Sequence, residues 1–161
     1  MNVYLDNAAS SPLDAEVLEY MLPFLSMHHG NPSSTHSHGR LLKAELEKAR
    51  RTIANCLGAS PGEIIFTSGG TEADNMALCG AVAAYGLTHI ISTRIEHHAV
   101  THTIEHLAQS RGVTPVWLTP DEHGRISLQE LEKALKAHPQ ALVSLMHANN
   151  EIGTLLDIEA V

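Results

Sequence analysis

The sequence has few cysteines, few aromatic residues and no long apolar run, and each shortage excludes a class of protein. Only two of the 161 residues are cysteine and 4% are aromatic. Because Cys56 and Cys79 stand alone without CxxC spacing, they predict neither a disulfide framework nor a thiolate zinc site. No stretch approaches the roughly 18 apolar residues of a membrane helix, and no basic segment precedes an apolar one at the start. We therefore expect a soluble, cytoplasmic protein with reduced cysteines.

Basic residues are scarce as well. Ten lysines and arginines stand against eighteen acidic residues, which gives a formal charge of −8. This charge repels a nucleic acid backbone and an anionic membrane surface. We therefore expect no nucleic acid and no membrane among the partners. The hydrophobic share of 43% is large enough for one sizeable core.

Short apolar runs alternate with helical patterns in most of the chain. An amphipathic pattern behind Asp14 and a second one from about Leu41 to Gly58 predict two helices, so residues 1–60 form an N-terminal helical segment. Four β-prone runs follow and are separated by helical stretches: 63–67, 89–93, 114–118 and 141–146. This order predicts an α/β fold with a mainly parallel sheet over residues 61–161.

In such sheets ligands bind beyond the carboxyl ends of the strands, and three segments there carry polar groups. The turn and helix start at 68–75 has small residues and a threonine that suit a phosphate, although a plain glycine turn explains them equally. His97, in segment 94–100, could stack on a flat ring or move a proton, or it could simply cap a helix. The paired amides in segment 147–153 could orient a ligand or form a tight turn.

Taken in order, these segments resemble the motifs of the cysteine desulfurase branch of the class V, fold-type I PLP-dependent enzymes, where PLP is pyridoxal 5′-phosphate. The resemblance covers essentially the whole chain. It is carried by the sequences LDNAASSP at 5–12, GNPSSTH at 30–36, FTSGGTEADN at 66–75, Glu96-His97 and HANNEIG at 147–153.

The resemblance implies roles for particular residues. Gly70 and Thr71 would hold the cofactor phosphate through a backbone N–H and a hydroxyl. His97 would stack on the pyridine ring and serve in proton transfer, and Asn150 would lie near the phenolic oxygen of the ring. The segment at 7–9 and the loop around Asn31 would line the substrate side, with help from a second subunit. Residues 61–161 would then be the first part of the PLP-binding large domain.

The family also needs a Schiff-base lysine, a carboxylate for the pyridine nitrogen and a cysteine nucleophile, which follow later in its members. No residue here matches them. The cysteines lie in predicted helices, and the lysines lie in or near such helices: Lys43, Lys48, Lys133 and Lys136. We therefore expect a fragment of an enzyme that converts L-cysteine to L-alanine. The resemblance further implies persulfide transfer to sulfur-acceptor proteins, such as those of iron–sulfur cluster assembly, and a homodimer when complete.

Three alternatives remain open. The reaction could be that of a selenocysteine lyase, of a class V aminotransferase or of a kynureninase. The chain could instead be a non-catalytic truncated piece or half of a split enzyme, with an exposed sheet edge and apolar face. Finally, His98, His102 and His106 share a helix face, but no carboxylate completes an H-E-x-x-H arrangement, so we predict no metal.

Overall fold

The computed structural model describes residues 2–161. These residues form two compact units, which divide between Phe66 and Thr67. The sequence predicted a helical segment up to residue 60 and a large-domain part from residue 61. The two compact units are defined by contacts instead, so this division stays a prediction. No helix within residues 2–161 combines the length and apolar character needed to cross a bilayer.

The first unit holds two helices, α1 (Ala15–Ser26) and α2 (Ser37–Leu57). Asp14 caps α1, because its Oδ1 accepts hydrogen bonds from the N–H groups of the first turn at 2.9 and 3.3 Å. The end of α2 lies at Gly58, whose φ of 64° costs glycine little. Its start lies four residues before Leu41, since His36 accepts from Gly39 N and caps the helix there.

The apolar face of α1 is uncovered in this chain. No residue of the helix is buried, and Leu25 is 71% exposed. Such a surface is larger than isolated apolar side chains produce.

The second unit is a small α/β layer structure. Its elements are, in order, α3 (Gly70–Tyr85), β1 (His89–Thr93), α4 (His98–Arg111), β2 (Thr114–Leu118), α5 (Leu128–Ala137) and β3 (Leu142–Val143). The three strands form one parallel sheet in the order β2-β1-β3, with β1 in the middle. The α/β fold class and the parallel sheet are therefore confirmed.

Alternation along β1 builds a core on each face of the sheet. Ile90 packs into a cluster with α3 and α4 that includes Ile104 and Leu107. Its neighbour Ile91 points the other way, into a cluster with Leu118 of β2 and Leu131 of α5. Both isoleucines are fully buried, which stabilises the fold by about 1.5–3 kcal/mol per side chain.

Two strand predictions need correction. The run at 63–67 is not a strand: Pro61–Glu63 forms a 3₁₀ turn, and 64–67 has no ladder partner within the described residues. An isolated apolar run cannot satisfy its backbone groups as a strand, and here Ile65 remains 65% exposed. The run at 141–146 forms only the two-residue strand β3, since its ladder with β1 covers two residue pairs, Ile90 with Leu142 and Ile91 with Val143.

Candidate active site

The polar segments that follow β1 and β3 emerge at the same edge of the sheet, because the two strands are parallel. The segment after β1 runs from Arg94 to His97, where α4 begins. The segment after β3 includes Asn149 and Asn150 and forms turns. This edge is where the sequence predicted ligand chemistry.

His97 is the N-cap of α4, and its side chain is exposed. Its Nδ1 accepts a hydrogen bond from Ala99 N at 3.1 Å. A neutral imidazole whose Nδ1 accepts carries its proton on Nε2. The capping role that we considered as an alternative is therefore present. It also fixes the ring at the sheet edge with Nε2 left to meet a ligand.

The two adjacent amides behave differently. Asn149 is buried, donates from Nδ2 to Ile95 O at 2.8 Å, and accepts on Oδ1 from Glu151 N and Ile152 N at 2.8 and 3.0 Å. Asn150 is exposed, and its Nδ2 donates one hydrogen bond, of 3.0 Å, to the side chain of its neighbour Glu151. Asn149 thus forms the tight turn, while Asn150 has an amide that can turn toward a ligand.

Two of the site residues predicted from the sequence, His97 and Asn150, share a pocket of about 360 Å³. Both His97 and Asn150 line it, along with Arg94, Ile95, Glu96, His98, Asn149, Glu151 and Ile152. Its volume lies at the small end of the range for small-molecule sites. The histidine and the amide predicted from separate motifs therefore share one cavity.

Gly70 and Thr71 do not line this pocket; they form the first turn of α3. Their N–H groups precede the first intrahelical bond of the helix, which runs from Ala73 N to Gly69 O. The N-cap, Gly69, has no side chain to satisfy them, and open space surrounds the Cα of Gly70. Unsatisfied N–H groups at a helix start, beside the exposed Thr71 hydroxyl, fit the phosphate of PLP.

The nearest carboxylate in the sequence of this turn is already engaged. Glu72 accepts hydrogen bonds from Ser68 N and Ser68 Oγ at 2.6 and 2.7 Å. These bonds lower the pKa of Glu72, so it stays ionised and tied to the loop before the helix. Glu72 therefore does not cap the N–H groups of Gly70 and Thr71.

Glu96 is a site residue whose structural importance sequence reasoning missed. It is buried, and its Oε1 accepts from Met146 N at 2.8 Å and from Thr93 Oγ1 at 3.2 Å. Burial raises the pKa of Glu96, and the charge of Asp74 in α3 raises it further, against the lowering effect of the two hydrogen bonds. The available signal was a carboxylate directly before His97 at the end of an apolar strand.

Of the other candidate residues, His98 lines this pocket, whereas the lysines, the cysteines, His102 and His106 do not. The four lysines are exposed on α2 and α5. Cys56 is exposed on α2, and Cys79 packs against the core from α3. On α4 the rings of His98 and His102 stack at 5.1 Å. Residues 2–161 contain no group of three or more His, Cys, Asp or Glu side chains that could hold a metal ion.

The aminotransferase class-V family matches residues 3–161, almost the entire chain. The chain belongs to this family. Class-V members of the cysteine desulfurase type depend on PLP. The resemblance drawn from the motifs is therefore confirmed, and so is the cofactor class that it implied.

The similar proteins point to one branch of the class-V family. The cysteine desulfurase IscS of Dictyoglomus turgidum is 46% identical over 159 residues, which are 98% of this chain and 40% of that protein. A solved NifS-like protein superposes with a TM-score of 0.91 at 40% identity, over 99% of this chain and 44% of that one. A structure of SspA in complex with cysteine superposes with a TM-score of 0.88 at 39% identity, over 98% of this chain and 45% of that one. This chain thus spans less than half the length of the relatives it matches.

Proposed function

We propose that this chain supplies part of the cofactor and substrate site of a PLP-dependent cysteine desulfurase. The observation that carries the proposal is the convergence of His97 and Asn150 on one pocket at the carboxyl edge of the sheet. Its family and the names of its relatives support the same reaction class. The reaction would convert L-cysteine to L-alanine, with the sulfur passing as persulfide to acceptor proteins.

PLP, when bound, supplies an electron sink that stabilises negative charge at the α-carbon of an amino acid. The first turn of α3 would hold its phosphate, with the N–H of Gly70 and the hydroxyl of Thr71 as donors. His97, fixed through Nδ1, would lie against the ring and move a proton at Nε2. Asn150 would turn its Nδ2 from Glu151 to the phenolic oxygen of the ring.

Further features of the intact enzyme are proposals on the same basis. They are a homodimer, the cytoplasm as its location, and a substrate side lined by the 7–9 segment and the Asn31 loop. In the structure Asn7, Ala8 and Ala9 form a turn in the first unit. The uncovered apolar face of α1 is compatible with association.

Binding of PLP to the 161-residue chain tests the cofactor site. We expect pyridoxal phosphate to bind more tightly than pyridoxal, because only the former has the phosphate for α3. Thr71→Val keeps the shape of the side chain and removes its hydroxyl, so it should weaken binding about 10-fold. Thr88→Val, at the opposite end of β1, is the matched control and should change nothing.

The same samples can be reduced with borohydride and weighed by mass spectrometry. Because the lysines are exposed on α2 and α5, no single lysine should acquire a stoichiometric adduct. Equal affinity for pyridoxal and pyridoxal phosphate would contradict the phosphate site. A specific adduct on one lysine would contradict the proposal that this chain lacks the Schiff-base lysine.

The reaction can be tested in a chimera in which this chain replaces the matching part of the Dictyoglomus turgidum enzyme. Incubation with L-cysteine and a thiol reductant should release alanine, and the sulfur should pass to the cysteine of the enzyme as a persulfide, from which the reductant frees it as sulfide. His97→Ala should lower the rate by at least about 100-fold. Amino transfer to a 2-oxo acid without sulfur release would favour the aminotransferase alternative, and a marked preference for selenocysteine would favour the lyase.

A further inference from the structure

The backbone ladder that joins β1 to β3 ends well before the candidate site residues. Only Ile90 and Ile91 have partners in β3, and the last backbone bond runs from Ser144 N to Ile91 O at 3.0 Å. His97 and Asn150 lie beyond this point. The ladder therefore cannot set the position of one relative to the other.

Neither of these two residues holds the other in place. His97 bonds to Ala99 in its own helix, and Asn150 bonds to the adjacent Glu151. Both side chains are exposed. Their relative placement must therefore depend on other contacts between the segments that carry them.

Such contacts come from the residue directly before each of them. Glu96, from the segment after β1, accepts from Met146 N in the segment after β3, at 2.8 Å. Asn149, from the segment after β3, donates to Ile95 O in the segment after β1, also at 2.8 Å. Both donors lie on the segment after β3, but each segment supplies one side chain that bonds to the backbone of the other. Both of these side chains are about nine-tenths buried.

Both side chains are also fixed at their own ends. Thr93 Oγ1 holds the same Glu96 oxygen that accepts from Met146. The oxygen of Asn149 closes a turn through Glu151 N and Ile152 N. Buried hydrogen-bonded groups of this kind rigidify their surroundings, since each broken bond leaves an unsatisfied polar group.

We propose that Glu96 and Asn149 form a reciprocal clasp that positions His97 and Asn150 across the pocket. They are positioning residues: they act through their neighbours rather than by touching a ligand. This inference rests on the proposed function for its purpose, but the clasp itself exists without cofactor. It assigns separate roles to the two adjacent amides, with Asn149 as the holder and Asn150 as the ligand contact.

NMR of the 161-residue chain without cofactor tests the clasp separately from PLP binding. Glu96→Ala removes the acceptor of Met146 N, so the Met146 amide should exchange about 10- to 100-fold faster. Glu96→Gln keeps an oxygen at the same place and should restore protection to within about threefold. The Asn150 side-chain resonances should shift in Glu96→Ala and return in Glu96→Gln.

The second bond of the pair is tested at Asn149. Asn149→Asp keeps the oxygen that closes the turn, but it loses the donor to Ile95 O and adds a carboxylate. Asn149→Ser loses the same donor without adding charge. Both should shift the ring resonances of His97, which lies on the other segment. Asn55→Asp and Glu122→Ala, at exposed positions outside the pocket, are matched controls and should shift neither site.

Full protection of Met146 in Glu96→Ala would overturn the proposal, and so would unchanged His97 resonances in either Asn149 variant. If Glu96→Ala does not fold, the Asn149 variants and the Glu96→Gln comparison decide the question. Failure of the chain to bind PLP would count against the proposed function alone, because none of these measurements involves the cofactor.

Discussion

Replacing Ile104 by alanine should strongly destabilise the second unit. Ile104 is fully buried in α4, in the cluster with Ile90 and Leu107. The substitution removes three carbons, worth about 2.4 kcal/mol at about 0.8 kcal/mol each. A residual cavity raises the cost to about 3–4 kcal/mol, within the range of about 2–5 kcal/mol for such core truncations. This is a large share of the roughly 5–15 kcal/mol that stabilises a typical domain.

Trp117 makes the loss measurable, because it is the only tryptophan and lies in the second unit. It packs against the same cluster, and the Arg94 guanidinium lies 4.6 Å from its ring centre. Its fluorescence in urea should show a midpoint about 1–4 M lower in Ile104→Ala, given a slope of about 1–3 kcal/mol per M.

Ile158→Ala is the matched control, since the same chemical change occurs where the side chain is 56% exposed. We expect a loss below about 1 kcal/mol there. Equal midpoint shifts in the two variants would refute the assignment of Ile104 to a close-packed core.

Two further predictions concern charge and backbone conformation. The raised pKa of Glu96 means that the unfolded chain ionises first, at about pH 4.5, so this residue lowers stability as pH rises from there through its folded pKa. Over this interval Glu96→Gln should therefore become more stable relative to the parent chain. If the difference in unfolding free energy between the two, measured by urea titration, does not vary with pH, the raised pKa of Glu96 is not its cause. Gly112→Ala should cost about 1–2 kcal/mol because φ is 69° there, whereas Gly80→Ala, inside α3 with open space around it, should gain about 0.5–1 kcal/mol. Thermal unfolding of both variants gives the two signs, and the same sign for both would refute the backbone argument.

Local chemistry made much of the fold predictable. The side chain of Asp14 and the conformational freedom of Gly58 act within a few residues, so the helix ends they set can be recognised in the sequence. The same holds for β1 and β2, whose apolar runs match the observed strands. The motifs around His97 and Asn150 also identified, from sequence, two residues that share a pocket.

Other features depend on partners that are distant in the chain, and the sequence could not show them. Whether a β-prone run becomes a strand depends on a neighbour to pair with; 89–93 has two such neighbours, whereas 63–67 has none among the described residues. The different roles of Asn149 and Asn150 likewise depend on Ile95, 54 residues away from Asn149. Glu96 became a buried clasp residue only because Met146, 50 residues later, brings its N–H to the same edge. The sequence by itself determined the local elements and the chemistry available at their ends, and the tertiary structure decided which of those groups are buried, paired or left free, because burial and hydrogen bonding depend on what the fold brings together.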